Sequence, residues 1–204
     1  MGKMGTVSIT GMKQFQKKLD KIPKQETDAF IEACSKELAA RLLAKVIKRT
    51  PVGDYSKEME VTAKRDSKHH KKGDIYKKKV NPSGKLGGTL RRGWTSKTHE
   101  EAAAGRGKRV PDEEEVKRFV DSLEIRREGN LLTIELINPV NYASYVEHGH
   151  RQTPGRYVPA LGKRLKQGWT EGTHMLEYSE QELKEIAPNL LEVRVKELLK
   201  RYLV

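Results

Sequence analysis

The residues of this chain whose types and spacing could do chemistry are few. His148-Gly149-His150 is an H-x-H pair, with His174 downstream and His69-His70 upstream. Zinc needs three or four ligands at tetrahedral geometry, and the chain holds no cysteine pair and no H-E-x-x-H. The simpler reading makes His150 a hydrogen-bonding group that ties its segment to a sheet. Protonated, it would also pair with Glu147. Ser144 lies in Ala-Ser-Tyr rather than in the strained turn of a G-x-S-x-G elbow. Cys34 is alone and sits among helix formers, so it reads as a small buried apolar group. Gly84-Lys-Leu-Gly-Gly88 lacks the spacing of a phosphate-binding loop. Glu113-Glu114-Glu115 reads as a helix start, where the dipole favours acids. The expectation is no catalytic residue, no metal site, no cofactor and no enzyme activity.

The other chemistry available is charge. The net charge is +13. Between Thr62 and Arg109 stand 15 basic and 4 acidic side chains, whereas the rest of the chain carries 26 and 24. Lys64, Arg65, Lys68, Lys71, Lys72, Lys77, Lys78 and Lys79, with Arg91 and Arg92 and with Tyr76 and Trp94 nearby, could contact DNA phosphates. The same residues could instead dock on an acidic neighbouring subunit, or form a solvated loop. A nucleic-acid-binding module using the 62–109 region is the alternative to the reading developed below.

The elements that must position these residues read as follows. Val7–Thr10 is a short strand candidate. Met12–Lys21 is one or two helical turns, with Phe15 and Leu19 at i, i+4. Residues 24–48 carry a helical stripe of Phe30, Ala33, Cys34, Leu38, Leu42 and Val46, widened by Ile31, Leu43 and Ile47, which needs a covering layer. Thr50-Pro51 ends that helix, because the residue before proline leaves the α region. Residues 53–87 lack apolar periodicity and read as a long basic loop. Leu90–Thr98 reads as a strand around Trp94, residues 99–111 as loop, and 112–115 as the start of a short helix.

Phe119–Arg127 and Leu131–Asn138 alternate in polarity around Glu128-Gly129-Asn130, and read as a hairpin. Asn141 is an N-cap candidate and Gly149 a helix end, so 142–149 reads as about two turns with Tyr142, Tyr145 and Val146 on one face. Tyr157–Ala160 and Leu165–Trp169 are a further strand pair. From Thr173 the chain is helical to its end, with Pro188 kinking or dividing the helix.

The whole is expected to be one α+β domain over 1–204. An antiparallel sheet of about four strands packs against a long N-terminal and a long C-terminal helix, with the basic loop inserted at about 53–87. Hydrophobic residues make up 35% of the chain and charged residues 34%. A chain this polar completes its burial against partners or carries long exposed segments. No apolar run approaches the roughly 20 residues of a membrane span. The first residues lack the apolar segment of a signal peptide, so the expected place of synthesis is a reducing cytoplasm.

Four pieces of sequence carry a resemblance. They are Thr50-Pro51-Val52, Gly88-Thr-Leu-Arg-Arg-Gly-Trp94, Tyr142-Ala-Ser-Tyr-Val-Glu-His-Gly-His-Arg151 and Gly172-Thr-His-Met-Leu176. In this order they resemble the tail-component family of tailed bacteriophages and prophages, the head–tail joining or tail-completion proteins. About thirty residues separate the first two pieces, which look adjacent in shorter relatives, and a second insertion lies near 155–171. The resemblance implies the same α+β arrangement. It implies a structural virion protein forming a ring, a hexamer, at the head-proximal end of the tail. The implied partners are copies of itself, a tail-tube or tail-terminator protein and a head-side connector or stopper, with transient contact to genomic DNA. The implied location is the neck of a virion assembled in the bacterial cytoplasm. Tyr145, Glu147, His150, Arg151, Tyr157 and Trp169 are the candidate interface residues, since aromatics and arginine concentrate at subunit contacts, whereas Trp94 and Tyr142 are expected to pack in the core.

Overall fold

A computed structural model describes residues 20, 22–53, 58–79, 87–105, 110–129, 131–158 and 163–203. The readings at Val7–Thr10, Met12–Leu19, Asn81–Gly84 and Ala160 lie outside the described residues.

Helix α1 (Lys24–Arg49) is the backbone of the molecule. Leu43, Val46 and Ile47 are its most buried side chains, and they sit in the core with Leu90, Trp94, Val116, Val120, Val140 and Met175. Thr50 ends the helix with extended ψ of 121°, as its place before Pro51 requires. Its amide and hydroxyl both donate to the Val46 carbonyl, at 2.9 and 2.7 Å.

Next comes the antiparallel pair β1 (Glu58–Thr62) and β2 (Ile75–Lys79), then the short helices α2 (Thr89–Gly93) and α3 (His99–Ala104), and α4 (Glu113–Asp121). A second antiparallel pair, β3 (Ile125–Glu128) and β4 (Leu131–Ile134), leads through an extended run to α5 (Ala143–His148) and directly into β5 (Gly149–Arg151). Strand β6 (Tyr157–Val158) pairs with β7 (Lys163–Arg164), and β8 (Trp169–Glu171) returns to pair with β5. Helix α6 (Met175–Leu203) closes the chain.

Helices α1 and α6 pack antiparallel. Glu182 near the start of α6 bonds Lys45 and Arg49 at the end of α1, while Arg194 further on grips Glu37 with two nitrogens at 2.9 and 3.2 Å. Pro188 is accommodated inside α6 and does not divide it.

The α+β class and both long helices stand as expected, but the single four-stranded sheet does not. Among the described residues the strands form four separate two-stranded pairs. The reason is length and spacing: the strands run from two to five residues, and helices, turns or loops intervene between most pairs.

Three local expectations change with it. Leu90–Thr98 begins as helix α2, not a strand; Arg92 N–H donates to the Gly88 carbonyl, closing the first turn. Phe119 belongs to α4, because Asp112 and Glu115 form a reciprocal capping box whose helix runs to Asp121. Residues 58–79 are a β-arm rather than an unstructured loop.

Candidate assembly interface

The four sequence pieces meet in pairs. Thr50 is buried, and its hydroxyl accepts the indole N–H of Trp94 at 2.8 Å. Its carbonyl accepts Nη2 of Arg91, also at 2.8 Å. Arg92 turns to the other side of α2 and donates Nε to the Ala102 carbonyl at 2.9 Å, tying down α3. Burial holds the Arg92 pKa below its ordinary value, and the nearby Tyr142 opposes that shift. Asn138 finishes this knot by donating to the Leu90 carbonyl at 2.9 Å.

The second knot joins α5 to the start of α6. Glu147 is 7% exposed. Its carboxylate accepts the backbone N–H groups of Leu176 and Glu177 at 3.1 to 3.2 Å. These are first-turn amides that α6 cannot satisfy itself, and the negative charge sits at the positive end of the helix dipole. In return, the carbonyls of Val146 and Glu147 accept the amides of Thr173 and His174 at 2.8 and 3.0 Å.

Gly172 allows this approach, since a Cβ there would collide with the Glu147 carbonyl. Gly149 has φ of +82° and carries the chain straight into β5, where the Trp169 ring and the Thr170 carbonyl leave no room for a side chain. Glycine therefore serves here as a close-packed bend rather than as the left-handed helix cap that its position suggested.

The candidate interface residues separate by environment. Glu147 faces inward and is committed to α6, so the expected pairing with His150 or Arg151 is replaced by helix capping. His150 is half-buried; its ring lies edge-on to Tyr145 with centroids 5.9 Å apart, and its Nε2 approaches Gln152 at 3.4 Å. Arg151 is exposed in β5, opposite Trp169 in the register. Tyr145, Tyr157 and Trp169 are 58%, 52% and 47% exposed, a large apolar outlay for side chains that normally bury. Tyr142 is exposed as well, against its expected place in the core, because the side of α5 that packs inward is that of Ala143 and Val146. Core packing of Trp94 holds.

The basic residues separate in the same way. Arg91 and Arg92 spend guanidinium donors on backbone carbonyls within the fold. Lys64, Arg65, Lys68, Lys71 and Lys72 are exposed on the turn that joins β1 to β2, and Lys77 and Lys78 are exposed on β2; Lys79 ends that strand. The turn is built: Ser67 and His70 bond one another, Asp74 accepts the Lys71 amide at 2.7 Å, and Asp66 accepts the Lys72 amide at 2.6 Å. The His70 ring stacks on Tyr76 at 3.9 Å. Sequence reasoning missed this order because the strands are short and their apolar residues few, with Val61 opposite Tyr76 on one face and Thr62 opposite Ile75 on the other. The readable signal was the register itself, which sets Glu60 opposite Lys77 and Glu58 opposite Lys79.

Among the described residues, no three His, Cys, Asp or Glu side chains stand where they could hold a metal ion. No described helix is long and apolar enough to cross a membrane. Cys34 is buried, and burial, helped by Glu37, pushes its thiol pKa up.

The family model described as "Bacteriophage HK97-gp10, putative tail-component" matches residues 13–149. The chain belongs to the HK97-gp10-like family. It is a bacteriophage tail component of that class. The match to the HK97-gp10-like family takes in α1 through α5 and stops at Gly149, so the strands β6 to β8 and α6 follow it. Glu147, two residues inside the match, is the side chain that fastens the remainder on. Neither the curated proteins nor the solved structures include a match to the chain.

Proposed function

We propose that this tail component is a ring-forming tail-completion or head–tail joining subunit at the head-proximal end of a phage or prophage tail. The observation that carries this reading is the exposure of three large aromatics in this part of the chain: Tyr145 beside His150, Trp169 opposite Arg151 in the β5–β8 register, and Tyr157 on β6. Aromatic rings with an arginine beside them are the composition of a subunit contact. Two-stranded sheets support it, because each leaves unpaired edges that a neighbouring copy can extend. Leu131, the first residue of β4, and Ile137, just past its end, are large and exposed and add to the uncovered apolar surface.

In this reading identical copies close into a hexameric ring on the tail tube or tail-terminator protein and present a face to the head-side connector or stopper. The protein works by binding, with no catalytic step, in the neck of a virion assembled in the bacterial cytoplasm. Purified protein examined by native mass spectrometry and a head–tail joining assay tests this: closed oligomers that restore joining are expected. A monodisperse monomer at high concentration that fails to join heads and tails would overturn it.

The second reading, a nucleic-acid-binding module, draws on the exposed cations at the β1–β2 turn. Deleting residues 60–82 separates the two. Loss of duplex retention with joining intact favours the nucleic-acid reading; loss of joining favours docking.

A further inference from the structure

The β1–β2 arm packs its strands on one another and makes no extended contact with any other element among the described residues. Five residues per strand give it a reach of about 17 Å. Its charge is not spread evenly. Along the strands, Glu60 faces Lys77 and Glu58 faces Lys79 in the register, so each acid of β1 stands opposite a lysine of β2. At the tip, Lys64, Arg65, Lys68, Lys71 and Lys72 outnumber Asp66 and Asp74, and residues 64–74 carry a net +3 with histidines neutral. Both acids of the tip are spent on backbone amides of the turn. The exposed Ile75 lies beside this knob.

A surface of opposite sign stands at the start of α6. Residues 171–185 contain Glu171, Glu177, Glu180, Glu182 and Glu185 against Lys184, a net −4 with His174 neutral. Glu182 is turned to Lys45 and Arg49 of its own chain. Glu171 and Glu185 are exposed, and Glu180 is met only at 3.9 Å by Lys184. Tyr178, exposed beside them, offers an apolar contact of the size that Ile75 would need.

We infer that the cationic tip of the β1–β2 arm of one copy docks on the acidic outer face at the start of α6 of a second copy. The inference rests on the ring reading above and names the contact that sets the order of subunits around it. Both surfaces belong to the same chain and lie at different places on it, so the contact is heterologous, the kind that closes into a ring when the rotation permits. A second copy suits the tip better than a nucleic acid does. On the strands Glu58 and Glu60 stand opposite Lys79 and Lys77, so a phosphate chain laid along the arm meets nearly balanced charge there, whereas an acidic face need engage only the tip. Exposed charges of this kind set partner choice and association rate more than depth of affinity, and salt weakens them.

Charge reversal on the full-length chain tests this. One variant carries Lys68→Glu, Lys71→Glu and Lys72→Glu; another carries Glu171→Lys, Glu180→Lys and Glu185→Lys; a third carries all six. Sedimentation velocity at about 50 and about 500 mM salt is the readout. Each triple variant is expected to self-associate at least about tenfold more weakly than the parent at low salt, and the sixfold variant to recover most of that loss. A parent that oligomerises, with triple variants that do so equally well, overturns the arm contact and leaves the ring standing. A monomeric parent overturns both. Triple arm variants that assemble normally but lose retention of a duplex DNA probe overturn the contact in favour of a nucleic-acid role.

Discussion

At the scale of single residues, the four sequence pieces are fasteners of the fold. Glu147 stands in the stretch most suggestive of function and is held inside, capping α6. Replacing it with alanine strands two first-turn amides of α6, with a cost of about 1–3 kcal/mol. Chemical denaturation of E147A measures it, and an unchanged midpoint would show that solvent replaces the cap. Gly172→Ala drives a methyl into the Glu147 carbonyl and should destabilise by a similar or larger amount, about 2 kcal/mol or more. Glu182 is one source of acid sensitivity, since Arg49, with help from Lys45, holds its carboxyl at about 2, and Arg194 with Arg41 likewise lowers Glu37. The folded pKa of Glu182 lies below the ordinary 4.5. Its contribution to stability is therefore complete above about pH 4.5 and is lost as the pH falls toward 2. Across that window E182Q should lose stability less steeply than the parent; equal steepness would place the acid sensitivity elsewhere.

At the scale of elements, what could be read from the sequence depended on whether apolar side chains recorded the geometry. Helix α1 was legible because its stripe is long and one face is buried. The β3–β4 turn at Gly129 was legible from turn chemistry. Phe119 was misread because alternation over 119–125 mimics a strand, while the Asp112–Glu115 capping box that decides the matter lies upstream. Residues 58–79 were misread because the alternation Glu58-Met59-Glu60-Val61-Thr62 is only five residues long and stands among dense lysines. The pairing of Glu147 with the α6 amides had no sequence signal, since it joins groups 29 residues apart. Tyr145, Tyr157 and Trp169 are exposed, as the proposed contact role requires, though Tyr142, also exposed, was expected inside. Since the arm stands apart from the core, removing residues 60–82 should lower Tm by no more than about 4 °C, roughly the effect of 1 kcal/mol in a domain of this size. A larger loss would show that the arm supports the body. Pro188→Ala, which restores a donor inside α6, should raise the unfolding midpoint by about 1–3 kcal/mol. A fall would mean that packing against α1 needs the proline ring.

At the scale of the whole molecule, the polar composition and the uncovered aromatics belong together. A core built around one long helix and short strand pairs leaves Tyr145, Tyr157, Trp169, Leu131 and Ile137 outside. In the proposed assembly these groups are buried, so stability should rise with protein concentration. Thermal unfolding over a hundredfold range of concentration checks this, and a constant Tm would contradict it. The most direct test of the central claim is an electron micrograph of particles assembled without this chain. Filled heads and finished tails lying unattached are the predicted result. Intact, joined virions would contradict the account.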